Sequence, residues 1–232
     1  EEVITKPIEF DPPHRARTSD LDVQLVTETL RLACRYAGEP PRTKLLADEI
    51  RAKLQTGVTE EKVNESLAFL ADSLLLYMVP PFEGLGQRQS HPPKFCICDH
   101  FVRNGIMQET LPIDPVALKD CNEAVSSRVG HLIESILGYY LKGIPGLELS
   151  WFPTRGNEPE VDMVLTIGTS RIPVEVKYRR SAPGGNDLAG IEAFCGKAAY
   201  SADFGLIITQ TAEGPVGDKA IAIPASTFLL LR

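Results

Sequence analysis

The chain has 232 residues, 43% hydrophobic, 24% charged and only 7% aromatic. Such a composition supports one large or two modest cores and excludes disordered, fibrous and collagen-like chains. A formal net charge of -7 excludes attachment to nucleic acid through bulk charge, so any such contact needs a local basic patch.

Residues 1–20, from Glu1 to Asp20, are rich in Pro, Thr and charge without periodicity and read as a linker from a missing N-terminal module. Leu21, Leu25, Leu30, Leu32 and Ala33 then predict a helix that stops before Gly38-Glu39-Pro40-Pro41. Thr43 to Leu54 predicts a second helix with Leu45, Leu46 and Ile50 inward. Thr59 is the N-cap of a third, continued by Val63, Leu67, Leu70 and Leu74. Two extended apolar runs follow, Leu74 to Val79 and Lys94 to Cys98, on either side of a Pro/Gly/Gln-rich stretch. Three helices and a two-stranded ribbon in that order predict a winged helix-turn-helix. Its third helix opens with Glu60, Glu61 and Glu65, an acidic face that repels phosphate, so packing or partner docking is expected rather than sequence-specific reading of DNA. Arg88 and Lys94 are the basic residues of the wing loop, placed either for a nonspecific touch or as a solvated surface.

The five cysteines, Cys34, Cys96, Cys98, Cys121 and Cys195, show no paired CxxC spacing, so a reducing, cytoplasmic setting is expected rather than a disulfide framework or zinc knuckle. Cys96-Ile97-Cys98 alternates within an apolar run and reads as strand, without metal chemistry. No run of about 18 or more apolar residues occurs, so no membrane span is expected.

Residues 99–114 form a connector with short helical potential, and a second domain begins near Pro115. The expected division is linker 1–20, winged-helix domain with connector 21–113, and second domain 114–232. Val129, Leu132, Ile133, Ile136, Leu137, Tyr140 and Leu141 form an amphipathic stripe ended by Gly143, with Ser126 and Ser127 as cap candidates and Glu134 on the flank. Leu147 to Phe152, Glu160 to Ile167 and Ile172 to Tyr178 predict strands, the last two paired as an antiparallel hairpin through Gly168-Thr169-Ser170. A helix over Asn186 to Tyr200, a buried strand over Gly205 to Thr209, then Ile221-Ala222-Ile223 and Phe228 to Leu231 complete an α/β (α+β) sandwich.

Four residues in this second half carry candidate chemistry: Glu134, Asp162, Glu175 and Lys177. Strand parity puts Glu175 and Lys177 on one face and lets Asp162 share it. Two carboxylates suit a hard divalent ion, Mg2+ or Mn2+, with the Val176 carbonyl as a further ligand. Lys177 can orient a water or steady a phosphate oxygen, as a charge or, if its pKa falls, as a base. Taken singly, each has a plainer reading as an exposed strand or helix residue. Arg128, Lys142, Arg155, Arg179 and Arg180 could form a basic rim for a phosphate backbone, or a solubilising surface. Gly190 to Ala198 only mimics a Walker A loop: the glycine spacing is wrong and Ala198 stands where Ser or Thr must hold magnesium. His100 and His131 have no Ser or Cys at triad spacing.

In order and type, Glu134, Asp162 and Glu175-Val176-Lys177 resemble the PD-(D/E)xK phosphodiesterase superfamily, with Glu160-Val161-Asp162 where that family often has Pro-Asp. Together with the winged helix, Lys94 to Asp99 and Gly130 to Glu134, residues 21–232 resemble the C-terminal domain of unknown function of prokaryotic AAA-type ATPases. That resemblance implies a restriction-endonuclease-like fold after the winged helix, an ATPase module preceding it, and divalent-metal-dependent cleavage of DNA. Asp162, Glu175 and Val176 would then hold the metal, with Lys177 serving the water and Glu134 as auxiliary acid. The alternative is a noncatalytic DNA-targeting, dimerising or regulatory module of the ATPase, in which a homo-oligomer is possible.

Overall fold

Local chemistry accounts for the first helices. Asp22 accepts a hydrogen bond from the Gln24 N–H to open α1 (Val23–Arg35), and Thr59 accepts from the Lys62 N–H to open α3 (Glu60–Asp72). Between them, α2 (Thr43–Leu54) ends at Gln55 in the left-handed region, φ 53°. The computed structural model describes residues 22–82, 91–179 and 181–230, so the expected linker, Leu21, Arg88, Arg180 and Leu231 lie outside the described residues. Leu25, Leu30, Leu46, Ile50, Val63 and Leu70 are buried together with Leu76, Phe95 and Ile97. Two positions expected to point inward do not. Leu45 is 43% exposed because its helix turns Leu46 to the core instead, and Leu74 is 62% exposed because α3 has already ended and its φ is +59°.

The two apolar runs pair as an antiparallel ribbon, β1 (Leu76–Val79) with β2 (Lys94–Ile97), Val79 opposite Lys94. Then α4 (His100–Met107) and a single turn, α5 (Pro115–Leu118), lead to α6 (Glu123–Lys142). The cap of α6 is Asn122, which accepts from the Val125 N–H, and not Ser126 or Ser127, which lie inside the helix.

Six strands form one mixed sheet in the order β3-β4-β5-β6-β8-β7: β3 (Leu147–Phe152), β4 (Val161–Ile167), β5 (Ser170–Lys177), β6 (Gly205–Thr209), β7 (Gly214–Val216) and β8 (Ala220–Pro224). The β4-β5 hairpin is antiparallel as expected, whereas β5, β6 and β8 run parallel. Between β5 and β6 lie α7 (Gly185–Cys195) and a 3-10 turn at Ala198–Tyr200; α8 (Ala225–Phe228) follows β8. The three-residue β7 was too short, and too punctuated by glycine and proline, to be expected from periodicity.

Parity along β5 sorts the sheet into two faces. Val174 and Val176 join Leu206, Ile208, Trp151 and the stripe of α6 in one core. On the other side Leu188 and Ile191 of α7 pack on Ile207, and Phe194 packs with Phe82, Phe152 and Val164. The ribbon is tied to the sheet half: Val79 and Cys96 belong to the α6 core, and a Cβ on Gly138 would stand 2.5 Å from Cys96 Sγ. Among the described residues no helix is long and apolar enough to cross a membrane.

Candidate active site

The β4-β5 ladder stops at the Met163–Val174 pair. One residue further, the Asp162 carboxylate takes over from the main chain, its Oδ2 accepting the Val176 N–H at 2.8 Å. The strands part there, and groups from both faces of the sheet meet in the gap. From the α7 face come Glu175 and Lys177, which share a side of β5; Lys177 Nζ donates to Glu175 Oε2 at 2.8 Å. Glu134 enters from α6 on the opposite face. A strand residue sends its N–H and C=O to the same edge, so the Val176 carbonyl also opens toward β4.

The fifth member is Lys94 of β2, 5% exposed. Its Nζ lies 2.9 Å from Glu160 Oε1, 3.2 Å from Glu134 Oε2 and 3.5 Å from Asp162 Oδ1, and 5.3 Å from the centre of the Trp151 ring. This corrects the expectation of a wing-loop lysine free to touch DNA. A buried ammonium needs counter-charges, and three are supplied: Glu134 of α6, Asp162 of β4 and Glu160 just before β4. The sequence signal was there to be read: a lone lysine at the head of the apolar run Phe95-Cys96-Ile97 needs a partner. Nothing local says which partner.

Burial alone would lower the pKa of Lys94, but the carboxylates of Glu134, Asp162 and Glu160 outweigh it and raise it. Lys177 behaves likewise, with Glu175 and Asp162 overcoming burial to hold its pKa above the ordinary value. The same neighbours favour the charged ammonium of Lys177 over the neutral amine. Glu175 is pushed up to about 8 by burial first and by Asp162 second, against the pull of Lys177 and Lys94. His131 Nδ1, one turn before Glu134, is 3.5 Å from Glu134 Oε1, too far for a well-formed hydrogen bond, and Glu134 raises its pKa against the effect of burial. A cavity of about 10 Å³, large enough for one water, lies among Lys94, Glu134, Asp162 and Cys96.

On the far side α7 presses against the centre through Gly190, where a Cβ would stand 2.6 Å from both the Glu160 carbonyl oxygen and Glu175 Oε1. The Walker-like segment is helix only as far as Cys195, with Gly196 and Lys197 beyond the end of α7. Its Lys197 is paired with Glu158 rather than free for a phosphate.

The expected basic rim is largely engaged elsewhere. Arg128 pairs with Glu109; Arg155 donates to the Phe82 carbonyl and covers the Phe152 ring, at 4.5 Å. Lys142 lies over Tyr77 and Tyr139, at 5.0 and 5.6 Å. Arg179, two residues beyond Lys177, is half exposed and bonded to Asp187 at 2.6 Å.

Hard oxygen donors on adjacent strands, Asp162, Glu175 and the Val176 carbonyl, fit a Mg2+ or Mn2+ ion completed by water and substrate oxygens. Among the described residues no three or more His, Cys, Asp or Glu side chains form a metal cradle by themselves; a magnesium site with one or two carboxylates does not require one.

No protein-family model matches the chain, and no curated protein matches it. Among solved structures it is similar to the crystal structure of protein VC1899 from Vibrio cholerae, at 12% identity and a TM-score of 0.28, over 87% of this chain and 53% of that one. The chain thus spans about half the length of that protein, and a likeness this distant adds nothing to the reading of fold or chemistry.

Proposed function

We propose that the chain is a winged helix joined to a PD-(D/E)xK-type centre that hydrolyses phosphodiester bonds in DNA with one or more divalent ions. The observation that carries this reading is the parted end of the β4-β5 hairpin, where Asp162 is held by the Val176 N–H beside Glu175 and Lys177. Phosphodiesters resist attack because the anion repels nucleophiles, so a cutter needs cationic help where negative charge gathers. A bound Mg2+ or Mn2+ would supply that charge and a more acidic water. Asp162 and Glu175 would hold it with the Val176 carbonyl. Lys177, kept positive by its neighbours, would fix a phosphate oxygen or the attacking water, and Glu134 would hold Lys94 and His131 in place from α6. Arg179 is the basic residue nearest in sequence to the centre and the first choice for a backbone contact. An ATPase module is the expected neighbour, by the resemblance given above.

A noncatalytic docking or regulatory module is the second reading. It is favoured by Lys94, which already neutralises carboxylates that a metal centre would use. Mn2+ calorimetry combined with cleavage of supercoiled plasmid and branched DNA separates the two. The nuclease reading expects metal binding and cleavage, both lost in Asp162→Ala and Glu175→Ala, and cleavage alone lost in Lys177→Met. Neither binding nor cleavage by the parent chain would leave the docking reading standing.

A further inference from the structure

We propose that Lys94 is a positioning residue of this centre: its ammonium takes the place that a second divalent cation would occupy between Glu134, Glu160 and Asp162, so the centre works with a single ion. The inference deepens the phosphodiesterase reading and rests on it.

Lys94 Nζ sits among three carboxylates, Glu160 just before β4, Glu134 of α6 and Asp162 of β4, at 2.9, 3.2 and 3.5 Å. Those are the contacts a cation makes, and they involve the Oδ1 side of Asp162, opposite the Oδ2 that accepts from Val176. Two-metal phosphodiester centres place their ions about 3.5–4 Å apart across a shared carboxylate. Here Asp162 would be the shared carboxylate, and its Oδ1 side is already held by a cation attached to the chain.

Lys94 is also locked in position. It is the first residue of β2, opposite Val79, and its neighbour Phe95 exchanges main-chain hydrogen bonds with the turn at Gly38 and Glu39. Cys96 packs against Gly138 of α6. Swinging the ammonium out would leave the Glu134 and Asp162 carboxylates unpaired at low solvent exposure, with the more exposed Glu160 beside them, which is costly. A fixed cation of charge one, in place of a mobile ion of charge two, also leaves net negative charge on Asp162 for the remaining ion. In chemical terms the ribbon half of the chain supplies part of the site, and its cation holds Glu134 and Asp162 in orientation without touching the substrate.

The test is Mn2+ stoichiometry, by calorimetry and by electron paramagnetic resonance, on the whole chain and on Lys94→Gln and Lys94→Arg. The expected result is one ion in the parent chain and in Lys94→Arg, and two in Lys94→Gln. Two ions in the parent chain, or dipolar coupling between Mn2+ ions in its spectrum, would overturn the proposal even if Lys94→Gln fails to fold. One ion in a folded Lys94→Gln would overturn it as well. If the parent chain binds none while Lys94→Gln gains one, the phosphodiesterase reading fails and the role of Lys94 stands. No binding by either defeats both.

Discussion

Gly190 gives the sharpest test of how α7 meets the candidate centre. A Cβ there would lie 2.6 Å from the Glu160 carbonyl oxygen and from Glu175 Oε1, and 3.3 Å from Val161 Cγ2. The Glu160 oxygen is main chain and cannot rotate away, so Gly190→Ala must push α7 off the sheet and loosen Leu188, Ile191 and Phe194. Overpacking of this kind costs about 1–3 kcal/mol, while alanine in place of glycine inside a helix returns roughly 1 kcal/mol. The net expectation lies between no change and a loss of about 2 kcal/mol, up to several degrees of Tm for a chain this long. Gly130→Ala in α6 is the control: a Cβ there meets nothing within 4 Å, so it should stabilise by up to about 1 kcal/mol. Urea unfolding, followed by circular dichroism and compared at the midpoint, reads both. Because Glu175 is one of the crowded groups, Mn2+ affinity should fall in Gly190→Ala and hold in Gly130→Ala. Equal midpoint shifts in the two variants would refute the close approach of α7 to Glu160 and Glu175.

The acid–base state of Glu175 sets a pH dependence. Its folded pKa, about 8, stands above its ordinary value near 4.5, so the stability it contributes is complete below about pH 4.5 and is lost as pH rises through 8. In metal-free buffer the stability obtained from urea unfolding should decline from pH 5 to pH 9 by an amount on the order of a few kcal/mol, and Glu175→Gln should flatten that slope; a parallel slope in the variant would refute it. Asp162→Ala removes the acceptor of the Val176 N–H and should cost about 1–3 kcal/mol, whereas Asp162→Asn, which retains an acceptor oxygen, should cost less by denaturant unfolding. Cys34 and Cys96 are buried, with pKa values raised to about 12 by that burial. An aromatic disulfide reagent on the native chain should therefore leave both unmodified, as peptide mapping would show, and label them only after unfolding.

Much of the secondary structure was legible because its causes are local. The Thr59 cap, the α6 stripe and the Gly168 turn act over a few residues, and period and capping are properties of short windows. Failures followed where a local signal was double: Leu45 and Leu46 both look apolar, and only the orientation of α2 against α1 and α3 decides which is buried. That Glu175 and Lys177 share a face followed from strand parity, whereas the bond between them was seen only in the structure.

The sequence by itself determined the order of the longer elements, though not β7, together with the β4-β5 hairpin and the kinds of group available for chemistry. Only the tertiary structure decided which of those groups meet. Lys94 is 40 residues from Glu134 and 68 from Asp162, and no window of the chain contains all three. What joins them is the packing of the ribbon against α6 at Gly138 and the parting of β4 from β5 at Asp162. A buried ammonium has to find carboxylates, but burial and the direction of approach are properties of the packed layers, not of any segment within them.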